Sequence, residues 1–185
     1  MMKSLLLLMV MILSQVTFAE SKHASCQMKS CPMKSGMGQT QPIDTVNVPS
    51  EAKKPGPKDK CPVCGMFVAK YPGFLAQVQF KDSTTVFFDG PKDLFKYYRS
   101  LDKYSPGNKV SDIKAVFVTN YYTQSPINAL TALYIIGSDI TGPMGKELVP
   151  FEKTGEAADF KKDHNGTAIL LFNDVTPEII GSLDK

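Results

Sequence analysis

The sequence predicts an α+β fold: two small strand-strand-helix-strand units preceded by a disordered tail. Three observations carry that reading. Residues 20–58 are polar, proline-spaced and sulfur-rich, whereas the chain after them alternates short apolar runs with turn residues. The order strand, strand, helix, strand occurs twice in the rest. All four cysteines, Cys26, Cys31, Cys61 and Cys64, lie in the front third, so no disulfide framework staples the body.

The elements follow in order. Residues 74–80 alternate apolar and polar side chains, with Leu75 the exception, and read as a strand. Lys81-Asp82-Ser83 is a turn and 84–88 a second strand, together a hairpin. Asp89-Gly90-Pro91 opens a helix, with Asp89 as N-cap and Pro91 in the first turn. Leu94, Phe95, Tyr98 and Leu101 recur at helical spacing and form its core face. Ser105-Pro106-Gly107-Asn108 ends that unit, and 115–121 is its third strand. The second unit reads 132–137 strand, 141–145 turn, 147–151 short strand, 153–163 helix and 167–172 strand. Ala157 and Phe160 point inward from its helix, and a short helix from Thr176 to Leu183 closes the chain. The units span about 67–123 and 130–174, within a domain of residues 59–185.

Ahead of them, residues 1–19 combine a charged start, the apolar run 5–13 and a small residue at Ala19. That pattern is a secretory leader cut after Ala19, and it is short for a membrane span. No cysteine follows the apolar run closely enough for lipidation, since Cys26 lies behind Lys22 and His23. The expected product is exported, soluble and without a lipid anchor. Residues 20–58 read as a disordered Cys/Met-rich arm and a Pro-rich linker. With 21 basic and 18 acidic residues, the charge is too balanced to argue for nucleic acid.

The chemistry concentrates in sulfur. Cys61-Pro62-Val63-Cys64-Gly65-Met66 places two thiols and a thioether on one short stretch. Soft donors on a turn suit a soft ion, with Cu(I) the leading candidate. Gly65, without a Cβ, leaves the two sides of a Cys-x-Met core free to wrap one ion. Cys-x-x-Cys alone also fits a redox pair, half a zinc site or a structural disulfide, but none of these needs Met66. Cys61 stands open between third ligand, resolving thiol and bystander. A second cluster, Cys26, Met28, Cys31, Met33 and Met37, contains Cys-x-Met twice and reads as a Cu(I)-collecting arm, against chance composition in a Met-rich chain. His164, at a helix end, reads as a partner of the helix C-terminus and solvent rather than a ligand.

Cys64-Gly65-Met66, the strand at Ala76-Gln77-Val78, the Phe88-Asp89 helix entry, Gly142-Pro143-Met144-Gly145, Pro150-Phe151 and Ala158-Asp159-Phe160 together resemble NosL, a family of Cu(I)-binding accessory proteins of nitrous oxide reductase maturation. The resemblance covers roughly residues 60–174. It implies two units of the order read above, ligation by Cys64 and Met66, and periplasmic copper delivery to the reductase, with an ABC-type maturation complex at the membrane as docking partner. It also brings Met144 forward as a soft donor, against its other reading as a core residue. Two features depart from the family: members are commonly lipoproteins, and the 26–37 cluster is not a general feature.

The sequence therefore points to a binding and transfer protein rather than an enzyme. No Ser/His/Asp set or framed pair of acids supports hydrolysis. The alternatives are an exported thiol-disulfide oxidoreductase or a heavy-metal detoxification protein using Cys61 and Cys64. No thioredoxin-like strand precedes that pair, and no helix clearly follows it.

Overall fold

The structure, a computed structural model, describes residues 51–185. The leader and the sulfur cluster at Cys26, Met28, Cys31, Met33 and Met37 lie outside the described residues.

The first sheet is built from β1 (Ala76–Phe80), β2 (Thr85–Phe88), β3 (Ile113–Thr119) and β4 (Pro126–Asn128), all antiparallel, in the order β2-β1-β3-β4. Helix α1 (Pro91–Arg99) follows β2 and runs into a short α2 (Leu101–Tyr104). The second sheet has the order β8-β5-β9, from β5 (Leu133–Ile136), β8 (Val149–Phe151) and β9 (Ala168–Leu171). Between β5 and β8 a two-residue-wide hairpin forms from β6 (Thr141–Gly142) and β7 (Gly145–Lys146). Helix α3 (Thr154–Asp163) links β8 to β9, and α4 (Pro177–Ser182) ends the chain. The α+β class and the repeated element order are those read from the sequence. β4, only three residues long and opened by a proline, is an added edge strand.

Packing joins the two units. One core cluster holds Val78, Phe88, Leu94, Phe95 and Val116 of the first together with Tyr134, Leu148 and Phe172 of the second. Phe95 makes ring contacts with Tyr134 at 5.0 Å and Phe172 at 4.8 Å, pairs that add about 0.5–1.5 kcal/mol each beyond their area. A smaller cluster of Ile135, Val149, Phe151, Ala157 and Phe160 seats α3 on the second sheet.

Three sequence expectations change. Residues 51–58 had the composition of a linker, yet they lie across the first sheet. Lys53 N–H donates to Gln77 Oε1, and Gln77 Nε2 and Gln79 Nε2 donate back to the carbonyls of Lys53 and Glu51. β1 is therefore buried on both faces, because its outward glutamines find backbone partners in that strap. The strand expected to begin at residue 74 begins at Ala76, since Pro72–Phe74 forms a 3₁₀ turn. Asp89 does not cap α1: Gly90 holds the N-cap position, and the Asp89 side chain turns to a thiol.

Candidate metal centre

The turn at 60–67 is a small ladder. Lys60 bridges Phe67, Cys61 N–H donates to the Met66 carbonyl at 2.9 Å, and Gly65 N–H donates to the Cys61 carbonyl at 2.9 Å. The chain reverses at Gly65, whose φ is +78°. A Cβ there would meet no protein atom within 4 Å, so the left-handed backbone is what calls for glycine. The register sets Met66 directly opposite Cys61, on the same face of the turn. Lys60 and Phe67 take the other face.

Cys61 is buried, Cys64 half-buried, and both are free thiols. Their protons point to the entry of α1. Cys61 Sγ donates to Asp93 Oδ2 at 3.3 Å, and Cys64 Sγ donates to Asp89 Oδ1 at 3.1 Å. One ligand atom from each of Cys61, Cys64, Asp89 and Asp93 lies within 4.8 Å of the others. The second oxygens, Asp89 Oδ2 and Asp93 Oδ1, are buried without a hydrogen-bond partner among the described residues. Asp93 Oδ1 lies 3.7 Å from Lys96 Nζ, so the cluster's unspent donor capacity rests mainly with Asp89 Oδ2.

The electrostatics favour protonated thiols. Burial is the main cause pushing the Cys64 thiol up to about 12, with the neighbouring Asp89 and Asp93 acting in the same direction. Burial lifts Cys61 further. Backbone N–H groups oppose this: those of Cys64 and Val63 act on the Cys61 sulfur, and that of Met66 on the Cys64 sulfur. The turn thus aims amide dipoles at both sulfurs, which is the environment a metal-bound thiolate uses once a cation has displaced its proton.

Asp89 and Asp93 are the residues that sequence reading missed. Asp89 stands just ahead of the extended N-cap Gly90 and Asp93 in the first turn of α1, so the helix entry carries both. Both acids were visible, but a capping role explained Asp89, and nothing local tied Asp93 to cysteines 32 residues earlier.

Met144 is 44% exposed at the tip of the β6–β7 hairpin, so it is not a core residue. Its carbonyl accepts from Lys92 Nζ at 2.8 Å. Lys92 sits between the two aspartates in sequence but is itself buried, and its ammonium also donates to the Leu183 carbonyl at 3.3 Å and pairs with Asp184 at 3.2 Å. Beside it, buried Glu147 accepts from the backbone N–H of Lys92 at 2.6 Å and of Leu148 at 2.9 Å. Its side chain occupies a slot left by Gly90 and Gly142, where a Cβ on either would collide with it. Burial raises the Glu147 carboxyl to about 8. Lys92 and Glu147 thereby fasten the Met144 hairpin to the same helix turn that receives the thiols. His164 is elsewhere: it pairs with Asp139 at 2.9 Å and stacks on Phe160.

Fold and site together define a small α+β protein with a thiol-rich candidate metal centre on a surface turn. The NosL family model matches residues 52–180, and the chain belongs to that family. Among solved structures it is similar to the copper chaperone NosL from Shewanella denitrificans, at 24% identity and a TM-score of 0.59, over 70% of this chain and 98% of that one. It is also similar to the apo-NosL protein from Achromobacter cycloclastes, at 27% identity and a TM-score of 0.41, over 57% of this chain and 87% of that one. A comparison with curated proteins finds no match.

Proposed function

We propose that this protein is a periplasmic Cu(I) chaperone that carries copper for assembly of the metal centre of nitrous oxide reductase, handing it over at a membrane ABC-type complex. The observation that carries the copper reading is the convergence of Cys61 and Cys64 on one turn, with amides aimed at both sulfurs and Met66 on the same face. Membership of the NosL family supports it, and the description of the Shewanella denitrificans neighbour as a copper chaperone agrees with it. Delivery to the reductase, the membrane partner and export rest on the family resemblance and the leader.

Cu(I) is the cargo. Cys64 and Met66 are its proposed core ligands, Cys61 a third sulfur, and Met144 a donor brought in from the hairpin. On loading, each thiol gives its proton to the carboxylate that already accepts it, and from there to water. Ligands near the surface let an acceptor's sulfur join the ion before one of these leaves. The 26–37 cluster serves as a collecting arm in this reading.

The oxidoreductase alternative has less support. Such an enzyme needs a low-pKa attacking thiolate at a helix N-terminus, whereas burial and two carboxylates raise these thiols. Anaerobic titration of the full chain and of Cys64→Ser with Cu(I) and Zn(II) tests the proposal. Preference for Cu(I), nearly lost in the domain site of the variant, is the expected result; equal binding by Cys64→Ser overturns it.

A further inference from the structure

The outer face of the same turn carries a second feature. Lys60 Nζ lies 4.9 Å and Lys70 Nζ 5.7 Å from the centroid of the Phe67 ring, which is 38% exposed. Lys53, Lys54 and Lys58 are exposed on the segment leading into it. Against these five lysines, residues 51–73 contain only Glu51 and Asp59, and Asp59 is engaged by the Gly56 N–H. Among the described residues none of the five forms an ion pair, whereas Lys92, Lys96 and Lys153 do. In the remaining described chain, acids outnumber bases. The site's own carboxylates do not neutralise this face, because they are buried behind the turn and turned to the thiols.

We infer that this outer face, Lys58, Lys60, Phe67 and Lys70, docks an acidic protein surface, that of the partner exchanging metal with the turn. The inference rests on the metal-transfer reading for what the docking achieves, but not for the docking itself. A transfer complex has to form quickly and come apart. Charge complementarity raises the encounter rate without demanding a large buried area, and one aromatic ring between cations supplies an anchor for register. A bilayer is the poorer occupant: interfacial binding needs a broad apolar face, and this surface offers one phenylalanine.

The test uses the copper-free full chain, so its outcome is independent of metal binding, and a failed Cu(I) titration would leave it standing. The ¹⁵N-labelled chain is titrated with a thiol-free glutamate-rich peptide, and separately with phosphatidylserine vesicles. The expected result is amide shifts confined to residues 58–71 that fade as salt is raised. Lys60→Glu with Lys70→Glu should weaken peptide binding by at least about tenfold. Lys60→Arg with Lys70→Arg should retain it, as should charge reversal at exposed Lys103 and Lys162. Dispersed amide spectra of each variant separate lost docking from lost folding. Shifts centred elsewhere, equal weakening by both reversal pairs, or binding to vesicles but not peptide overturns the inference.

Discussion

The pH dependence of Cu(I) affinity counts the thiols that bind. Cys64 is pushed up to about 12 and Cys61 beyond it, so both carry protons from pH 6 to pH 9. An ion held by two thiolates must then displace two protons. Each displaced proton changes the apparent affinity tenfold per pH unit. The wild-type chain should therefore bind about a hundredfold more tightly for each unit of rise, or about ten-thousandfold between pH 6.5 and 8.5. Cys61→Ala leaves one thiol and should halve the logarithmic slope. Met66→Leu removes a donor without a proton, so the line should drop without changing slope. The assay is anaerobic competition against a Cu(I) chelator of known pH dependence, read by absorbance, on the domain site of chains lacking residues 20–40. A wild-type slope of one would mean that Cys61 keeps its proton and is no ligand. A plateau below pH 9 would mean that burial does not raise the thiols, and the reading of both as protonated would be wrong.

Other outcomes follow from the same geometry. Glu147 keeps its proton to about pH 8 in the fold but ionises near 4.5 when unfolded, so the fold loses stability as pH rises through that window and changes little outside it. Glu147→Gln should abolish that loss, gaining at most about 5 kcal/mol on the wild type between pH 5 and 8 in denaturant melts; a pH-independent difference refutes the buried acid. Phe95→Ala removes a fully buried ring shared by both units and should cost about 3–5 kcal/mol in a single transition, with separate transitions showing that the units do not share a core. Gly65→Ala should cost about 1–2 kcal/mol through its positive φ and weaken metal binding by loosening the turn, and unchanged melting would contradict the left-handed backbone. Deleting residues 20–40 should lower Cu(I) stoichiometry to one; unchanged stoichiometry would mean the 26–37 cluster does not bind.

Much of this protein was set by local sequence. The alternation around Val78 and the helical spacing of Leu94, Phe95 and Leu101 specify elements because backbone geometry repeats every two or 3.6 residues. Pro91 marks the start of α1. Cys61 and Cys64 come together because they share a turn, and a turn needs only neighbours in the chain. Composition misread 51–58: prolines and lysines look like a linker, but what orders this strap is a pair of glutamines some 25 residues away.

Tertiary structure decided the rest, by bringing distant segments together. Asp89 and Asp93 join the thiols only because the entry and first turn of α1 pack against the 60–67 turn. Met144 is exposed beside that helix because Lys92, buried and pinned by the chain's end, holds its carbonyl. Glu147 stays protonated at neutral pH because two glycines, 52 residues apart in sequence, leave a slot deep enough to dehydrate it. A pKa depends on solvent access and on charges a few ångströms away, and no one-dimensional pattern carries either.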